Sequence, residues 1–580
     1  MMAQPTGTRR LPERTRFDTC GLAALGLLAA LLPFELTQPV LLLGSIEVTN
    51  VELALYLVLI VWAVIWLRGR RSAWTVVHSA AAAWLAVVVF AALLAPTGRG
   101  EALKFALRTL GGGALFFATL DLVSTRRQIA WIALAVCAGA VLSAATGIAE
   151  VWLPPMRAGL ETFKTQPSFA GGFLRASGTF QYANTAGMYW EAVLPLTLAL
   201  GVWAVTGSTG NGRPASTWRW WSAAAAVVLV QAVVLTASRA AWWAVAGLLA
   251  VLLVAGVRLF RPLRGPVVVV CLALMLFTLG GWGGGGLLAL RLLASDEATW
   301  LSAEFTNPPT ALTMPTGSVT TVPMTVRNTG LREWPRLGST PVSLSYHWLA
   351  PDGEEVLLWD GARTRLPDTV AAGDTVTLQA VIDGNVPPGR YRLQWDLVQE
   401  HIAWFSTLGA QTATTWVAVE PRDDAPVVAE LPPSFRLVYR ERPSRRTLWS
   451  AAVGMWAERP LFGIGPDQFR HQVGARLDLA TFDTRTHASS LFVETLVGQG
   501  LVGLLALLSL LAAVAWTVAR GWQRVDGPAP RVLGLGLALG MLAYAAHGAV
   551  DHFLSFTPTY GLFWLLTGLT VRLFGQEATA

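Results

Sequence analysis

Two kinds of side chain stand where this sequence allows chemistry: isolated arginines and a histidine, each beside an apolar run. Arg239 is alone in Leu235-Thr236-Ala237-Ser238-Arg239-Ala240-Ala241-Trp242-Trp243. Charge at the edge of hydrocarbon is costly unless it is solvated or used. Arg239 is therefore either a snorkelling arginine or a cation for an anionic ligand, since a guanidinium grips phosphate through paired hydrogen bonds. Arg445 and Arg446 open an amphipathic segment, Trp449 to Trp456, which runs into Glu458-Arg459-Pro460-Leu461-Phe462-Gly463-Ile464-Gly465-Pro466-Asp467. Pro460 and the two glycines predict that the helix stops there in a tight turn. Gly463-Ile464-Gly465 lacks the third glycine and the βαβ setting of a nucleotide site. His487, in Thr486-His487-Ala488-Ser489-Ser490, comes just before an apolar run. An imidazole titrates near neutrality, which suits a general base, and equally suits a passive polar group at an interface.

Composition says what must position these residues. Of 580 residues, 53% are hydrophobic and 14% charged, where soluble domains carry roughly 25% charge. Mean hydropathy is +0.49. So many uncharged apolar runs exclude an ordinary soluble protein and require a lipid bilayer as partner. The net charge of +7 does not point to nucleic acid, because most arginines fall in short loops between apolar runs. Cys20, Cys137 and Cys271 lie inside those runs without metal-ligand spacing, so buried thiols are expected rather than a disulfide or a metal site.

The runs read as spans are 18–44, 51–67, 76–95, 104–122, 129–149, 184–206, 219–236, 239–257, 265–293, 494–518, 530–550 and 554–574. Each is long enough to cross ~30 Å of hydrocarbon. The first has no small-residue cleavage site and reads as a retained span. Arg9, Arg10, Arg14 and Arg16 put the N-terminus in the cytoplasm. The inner loops then hold Arg68, Arg70 and Arg71, Arg126 and Arg127, Arg213 to Arg219, Arg258 to Arg264, and Arg520 to Arg531, as the positive-inside rule requires. The expected fold class is an α-helical polytopic membrane protein of about twelve transmembrane helices. Residues 150–183, Ser238–Arg239, the region 294–493 and the turn at Asp551–His552 fall outside the cytoplasm.

Between about 300 and 422 the periodicity changes to short alternating runs. Val319–Val326, Val342–Trp348, Thr375–Ile382, Tyr391–Val398 and Thr414–Val419 read as strands separated by turn signals such as Asn328-Thr329-Gly330 and Pro387-Pro388-Gly389. That predicts an extracytoplasmic β-sandwich over 294–425. Asn328-Thr329-Gly330 with Trp334, and Pro388-Gly389-Arg390-Tyr391 with Trp395, resemble immunoglobulin-like modules. The insert is either a spacer or docking module, or a carbohydrate binder stacking sugars on Trp348, Trp395 or Trp404.

Five elements occur in the order and topology of the O-antigen ligase family. They are Arg175-Ala176-Ser177-Gly178-Thr179-Phe180 with Asn184; Ser238-Arg239-Ala240; Arg445 four residues before Trp449; Pro460-Leu461-Phe462-Gly463-Ile464-Gly465; and His487 to Gly503. The resemblance spans the chain apart from the insert: 1–293 and 494–580 as membrane domain, 426–493 as an outer helical loop with the active site. It implies a bacterial cytoplasmic-membrane protein, its large loop on the periplasmic or extracellular side. Such enzymes transfer a glycan from an undecaprenyl-diphosphate carrier to a hydroxyl of a glycan, lipid or protein acceptor, with no cofactor. Carried over, Arg239 and Arg445, with Arg446 or Arg175, hold the donor diphosphate and His487 assists the acceptor hydroxyl. No acidic DxD pair lies in an outer loop, which favours metal-free catalysis, and attack from the face opposite the diphosphate would invert the anomeric centre.

One departure stands out. The family places its histidine eleven residues before the first glycine of Gly-x-x-Gly; here that glycine is Gly500, so Ser489-Ser490 fill the slot and His487 comes two residues early. In an extended segment two residues keep a side chain on one face but move it about 6–7 Å. Three outcomes stay open: His487 serves, His471 reaches in, or the chain binds the carrier without transferring glycan. Polymerase-type transfer and a transporter or non-catalytic glycan binder are the competing functions.

Overall fold

The computed structural model describes residues 16–43, 46–68, 72–165, 167–170, 173–207, 215–279, 291, 299–338, 340–400, 402–422, 435–436, 443–479 and 483–575. Arg9, Arg10, Arg14, Arg70, Arg71 and Arg213, and the end of the predicted span 265–293, lie outside the described residues.

Every run read as a span contains a helix: α1 (Arg16–Leu31), α2 (Asn50–Leu67), α3 (Val76–Leu93), α4 (Arg99–Leu122) and α5 (Arg126–Trp152). After the short α6 (Met156–Leu160) come α7 (Ala183–Gly207), α8 (Ala215–Leu235), α9 (Arg239–Arg258) and α10 (Arg261–Leu279). Beyond the insert, α11 (Arg445–Glu458) and α12 (Phe469–Arg476) lead to α13 (Leu491–Gly521), α14 (Pro528–Gly548) and α15 (Thr557–Phe574). Ten of these, among the described residues, are long and apolar enough to cross a membrane, and α1 and α15 are not among the ten. The chain is a polytopic membrane protein.

The two exceptions have different causes. The run 18–44 was expected to be helical throughout, but α1 ends at Leu31, two residues before Pro33, whose ring cannot continue a helix. Beyond it β1 (Leu41–Leu43) and β2 (Ile46–Val48) form a hairpin. By contrast α15 is buried along nearly its whole length. A helix walled by protein has no lipid face to keep apolar.

Hydrogen bonds between loops sort the helix ends. Thr37 N–H donates to Thr162 O and Asn184 Nδ2 to Asp551 Oδ2. Those contacts gather the α1–α2, α5–α7 and α14–α15 connections at the end carrying the insert. The α5–α7 connection holds a second hairpin, β3 (Ser168–Ala170) with β4 (Phe173–Arg175). At the other end Arg126 donates to Asp526 O and Arg572 to Ser124 O. Cys137 is buried, whereas Cys20 is exposed and Cys271 half-buried, which corrects the expectation of three buried thiols.

The insert is built of two sheets around one core. β5 (Ala303–Thr306), β7 (Val319–Asn328) and β11 (Thr375–Asp383) form one. The other runs β15 (Phe435–Arg436), β9 (Glu355–Leu358), β8 (Val342–Leu349), β12 (Gly389–Gln399), β14 (Ala413–Glu420) and β6 (Ala311–Pro315). Two short strands pair beside it, β10 (Thr364–Arg365) with β8 and β13 (Ala403–Trp404) with β12. Alternate residues of β11 are buried, as a one-faced strand requires. Trp348 and Trp395 are wholly buried in the shared core. Neither can stack on a sugar, which overturns that expectation for both; Trp404 is half-buried beneath the Arg363 guanidinium.

Candidate functional site

The site is assembled by a backbone exchange between a turn and a broken helix. α13 is interrupted at Gly500, where φ is 69° and ψ is −168°. The carbonyls of Val497 and Gly498, which an unbroken helix would pair with the amides of Leu501 and Val502, instead accept from Ile464 and Gly465 N–H at 3.0 Å each. The freed Leu501 and Val502 amides donate to Pro460 and Leu461 carbonyls at 2.8 and 3.1 Å. Four turn contacts replace two helical bonds, so these four backbone groups at the break all find partners. The approach needs glycine: a Cβ on Gly463 would collide with Val497 O, and one on Gly500 with Leu461 O.

This dock fixes both neighbours of His487. The turn ends at Asp467, held in the left-handed region at φ 62° by a two-pronged bond from Arg470 at 2.8 and 2.7 Å. The first half of α13 carries Glu494. Its Oε2 accepts from the Ala488 N–H at 2.8 Å, while Trp449 on α11 donates to the Ala488 carbonyl at 2.7 Å. Ser489 adopts φ 52°, so the segment turns there and is not extended, contrary to the expectation. His487 alone of that segment brings a ring to the carboxylates.

His487 Nδ1 is buried without a hydrogen-bond partner among the described residues, 3.8 Å from both Asp467 Oδ1 and Glu494 Oε1. Burial resists protonation, but the Glu494 and Asp467 carboxylates outweigh it and hold the pKa above the ordinary imidazole value. The ring lines a cavity of about 510 Å³ with Asp467, Arg470 and Arg485, and with Lys104 and Arg108 of α4. Behind it, 5.1 Å between ring centroids, lies His552. Burial pushes its pKa down to about 4, and neither of its nitrogens has a partner among the described residues.

The other candidates sit elsewhere. Arg239, Arg445, Arg446 and Arg175 do not line this cavity. Arg239 is the first residue of α9, half-buried, following Ala237 in the left-handed region. Two arginines hold the turn before it: Arg175 donates to Thr236 O at 2.6 Å and to Asn184 Oδ1 at 2.5 Å, and Arg291 to Ala237 O at 3.1 Å. Arg445 and Arg446 are exposed in the first turn of α11, and Arg446 lines a separate cavity of about 480 Å³. Neither helix has an acidic residue in its first turn. Cations there oppose the helix dipole, a local cost that an anionic ligand would reverse. His471 lines another cavity, of about 750 Å³, and does not line the one that holds His487.

Sequence reasoning passed over Asp467, Arg470, His552 and the α4 side chains. Only the last left a signal: Glu101, Lys104 and Arg108 recur at i, i+3 and i+7, one face of a helix.

Fold and site together define a polytopic membrane protein whose helix bundle holds a polar cavity with a carboxylate-flanked histidine. Residues 430–508 match the family model described as O-Antigen ligase. That segment contains α11, the docking turn, His487 and the break in α13, and the match supports the O-antigen ligase family for this chain and, in general terms, glycan transfer of ligase or polymerase type. No curated protein matches the chain. Among solved structures it is similar to Pseudomonas fluorescens alkylpurine DNA glycosylase AlkC bound to DNA containing an abasic site analog. Identity there is 11% over 60% of this chain and 97% of that one, and a TM-score of 0.14 carries no argument.

Proposed function

We propose that this protein transfers a glycan from an undecaprenyl-diphosphate donor to an acceptor hydroxyl at the outer face of a bacterial cytoplasmic membrane. The reaction is of ligase type, inverting and metal-independent. The observation that carries this reading is His487: one nitrogen turned to two carboxylates, on a ring that lines a polar cavity at the bundle end.

The acceptor hydroxyl attacks the anomeric carbon and loses its proton to Nε2 of His487 as the new C–O bond forms. Glu494 and Asp467 stabilise the resulting imidazolium through Nδ1. The bond from the anomeric carbon to the diphosphate breaks, and the diphosphate departs with the electron pair from the opposite face, inverting the centre. Arg239 and Arg445, each in the first turn of a helix, match its charge, with Arg446 alongside. Arg175 positions the turn that presents Arg239.

Purified protein with an undecaprenyl-diphosphate-linked glycan and a hydroxyl acceptor tests the reading. Wild type transfers and His487→Ala does not. Equal transfer by both would remove His487 from the chemistry. Donor binding without transfer by either would make the chain a carrier-binding relative.

A further inference from the structure

The polar face of α4 is used by no step above. Glu101, Lys104 and Arg108 line the His487 cavity from that helix. Arg108 lies within the run 104–122 read as a span, where charge is rare without a function. Its Nε donates to buried Glu52 at 3.0 Å. Its two terminal amino groups have no hydrogen-bond partner among the described residues, and the side chain is 47% exposed. Lys104 pairs with Glu101 at 2.9 Å and is 40% exposed. The other acids on the cavity are Glu47 and Asp467, and Asp467 is already neutralised by Arg470.

The same cavity reaches the lipid-facing side of the bundle. Leu107 and Tyr56 line it and are also exposed. Leu57 and Ile60 on α2, and Leu110 on α4, continue the exposed apolar surface below them. The opening therefore lies between α2 and α4, with cations just inside it and hydrocarbon-compatible side chains just outside.

We propose that an isoprenoid diphosphate enters the cavity sideways from the bilayer between α2 and α4, its phosphates met on the way in by Arg108 and Lys104, before they reach Arg239 and Arg445, and its chain lying on Leu57, Ile60, Leu107 and Leu110. The identity of the lipid rests on the transfer reading above. The geometry explains why unspent guanidinium donors face a cavity open to lipid: they match a doubly anionic head group brought in by its tail.

The test uses the full-length protein in vesicles of zwitterionic lipid, with a photo-crosslinking side chain at Leu107 or Ile60 and, as control, at Leu142. Leu142 is comparably exposed but lies on α5. The probe is undecaprenyl diphosphate without sugar. Labelling is expected at Leu107 and Ile60, competed by excess undecaprenyl diphosphate but by neither undecaprenol nor phosphatidylglycerol. Equal labelling at Leu142, or equal competition by phosphatidylglycerol, would overturn the proposal, the latter leaving only a general anionic-lipid surface. Kinetically, Lys104→Gln, and Glu52→Gln with Arg108→Gln to avoid stranding a buried carboxylate, should each raise the donor KM about tenfold while keeping kcat. An unchanged KM in both sinks the assignment. Labelling as expected in a protein that transfers nothing would keep this portal and remove the transfer reading.

Discussion

Among the histidines that face a carboxylate, His347 and His487 are opposites. His347 on β8 is wholly buried, stacked on Trp359 with ring centroids 3.6 Å apart. Its Nδ1 meets the Trp359 carbonyl and its Nε2 lies 3.3 Å from Asp396, which also accepts from Leu397 and Ser406 amides. Every polar atom of that ring is committed, and the residue is a piece of core. His487 has two carboxylates at 3.8 Å, no hydrogen bond on Nδ1 among the described residues, and a place on the cavity wall. A neighbouring carboxylate therefore does not mark a base. A ring with carboxylates on one side that also lines a space for substrate does.

The largest expected effect breaks the pair apart. His487→Gln should cut glycan transfer by about 10²–10⁴-fold, the usual worth of a general base, at unchanged thermal stability. His347→Gln should lower the stability of the sheet region by about 1–3 kcal/mol and leave transfer per folded molecule intact. The same loss of transfer from both would erase the distinction.

Glu494→Gln sharpens it. His487 must be neutral to take a proton, and its pKa is raised, so kcat/KM should rise with pH through a value above the ordinary imidazole pKa of about 6.5. Removing the Glu494 charge lowers that pKa, and the rise should move to lower pH by about one unit. A pH–rate profile that does not move would detach Glu494 from His487.

Two smaller changes ask whether backbone docking holds His487 in place. Gly500→Ala should cost about 1–3 kcal/mol in unfolding, as expected for strain at a left-handed position, because its Cβ would meet Leu461 O. Trp449→Phe removes one bond to Ala488 O and should cost about 0.5–1.5 kcal/mol. If Trp449→Phe leaves stability and transfer unchanged, α11 does not hold the histidine segment.

The membrane helices were legible because lipid imposes a length and an apolarity that single residues cannot hide. The strands were legible because their residues alternate; β8, though buried on all eight residues, still alternates Val342, Leu344, Tyr346 and Trp348 with Ser343, Ser345 and His347. The stop of α1 was missed because the apolar run continues past Pro33, through Val40 to Leu43, into a hairpin that is apolar but not helical. At the site, His487 was found by its place before α13. Asp467 was not, since its role depends on the exchange between 460–465 and 497–502, a long-range pairing that no local pattern announces. His552 was named only as part of a turn; its approach to His487 is tertiary.

The exchange at Gly500 also orders the birth of the protein. The turn that seals the break is translated before the break itself. When α13 meets the bilayer, the groups that satisfy its interrupted backbone already exist and are tethered by a short chain segment. A circularly rearranged protein in which Pro460–Gly465 followed α13 would send that helix into hydrocarbon unsealed, and it should insert poorly although its finished contacts would be identical.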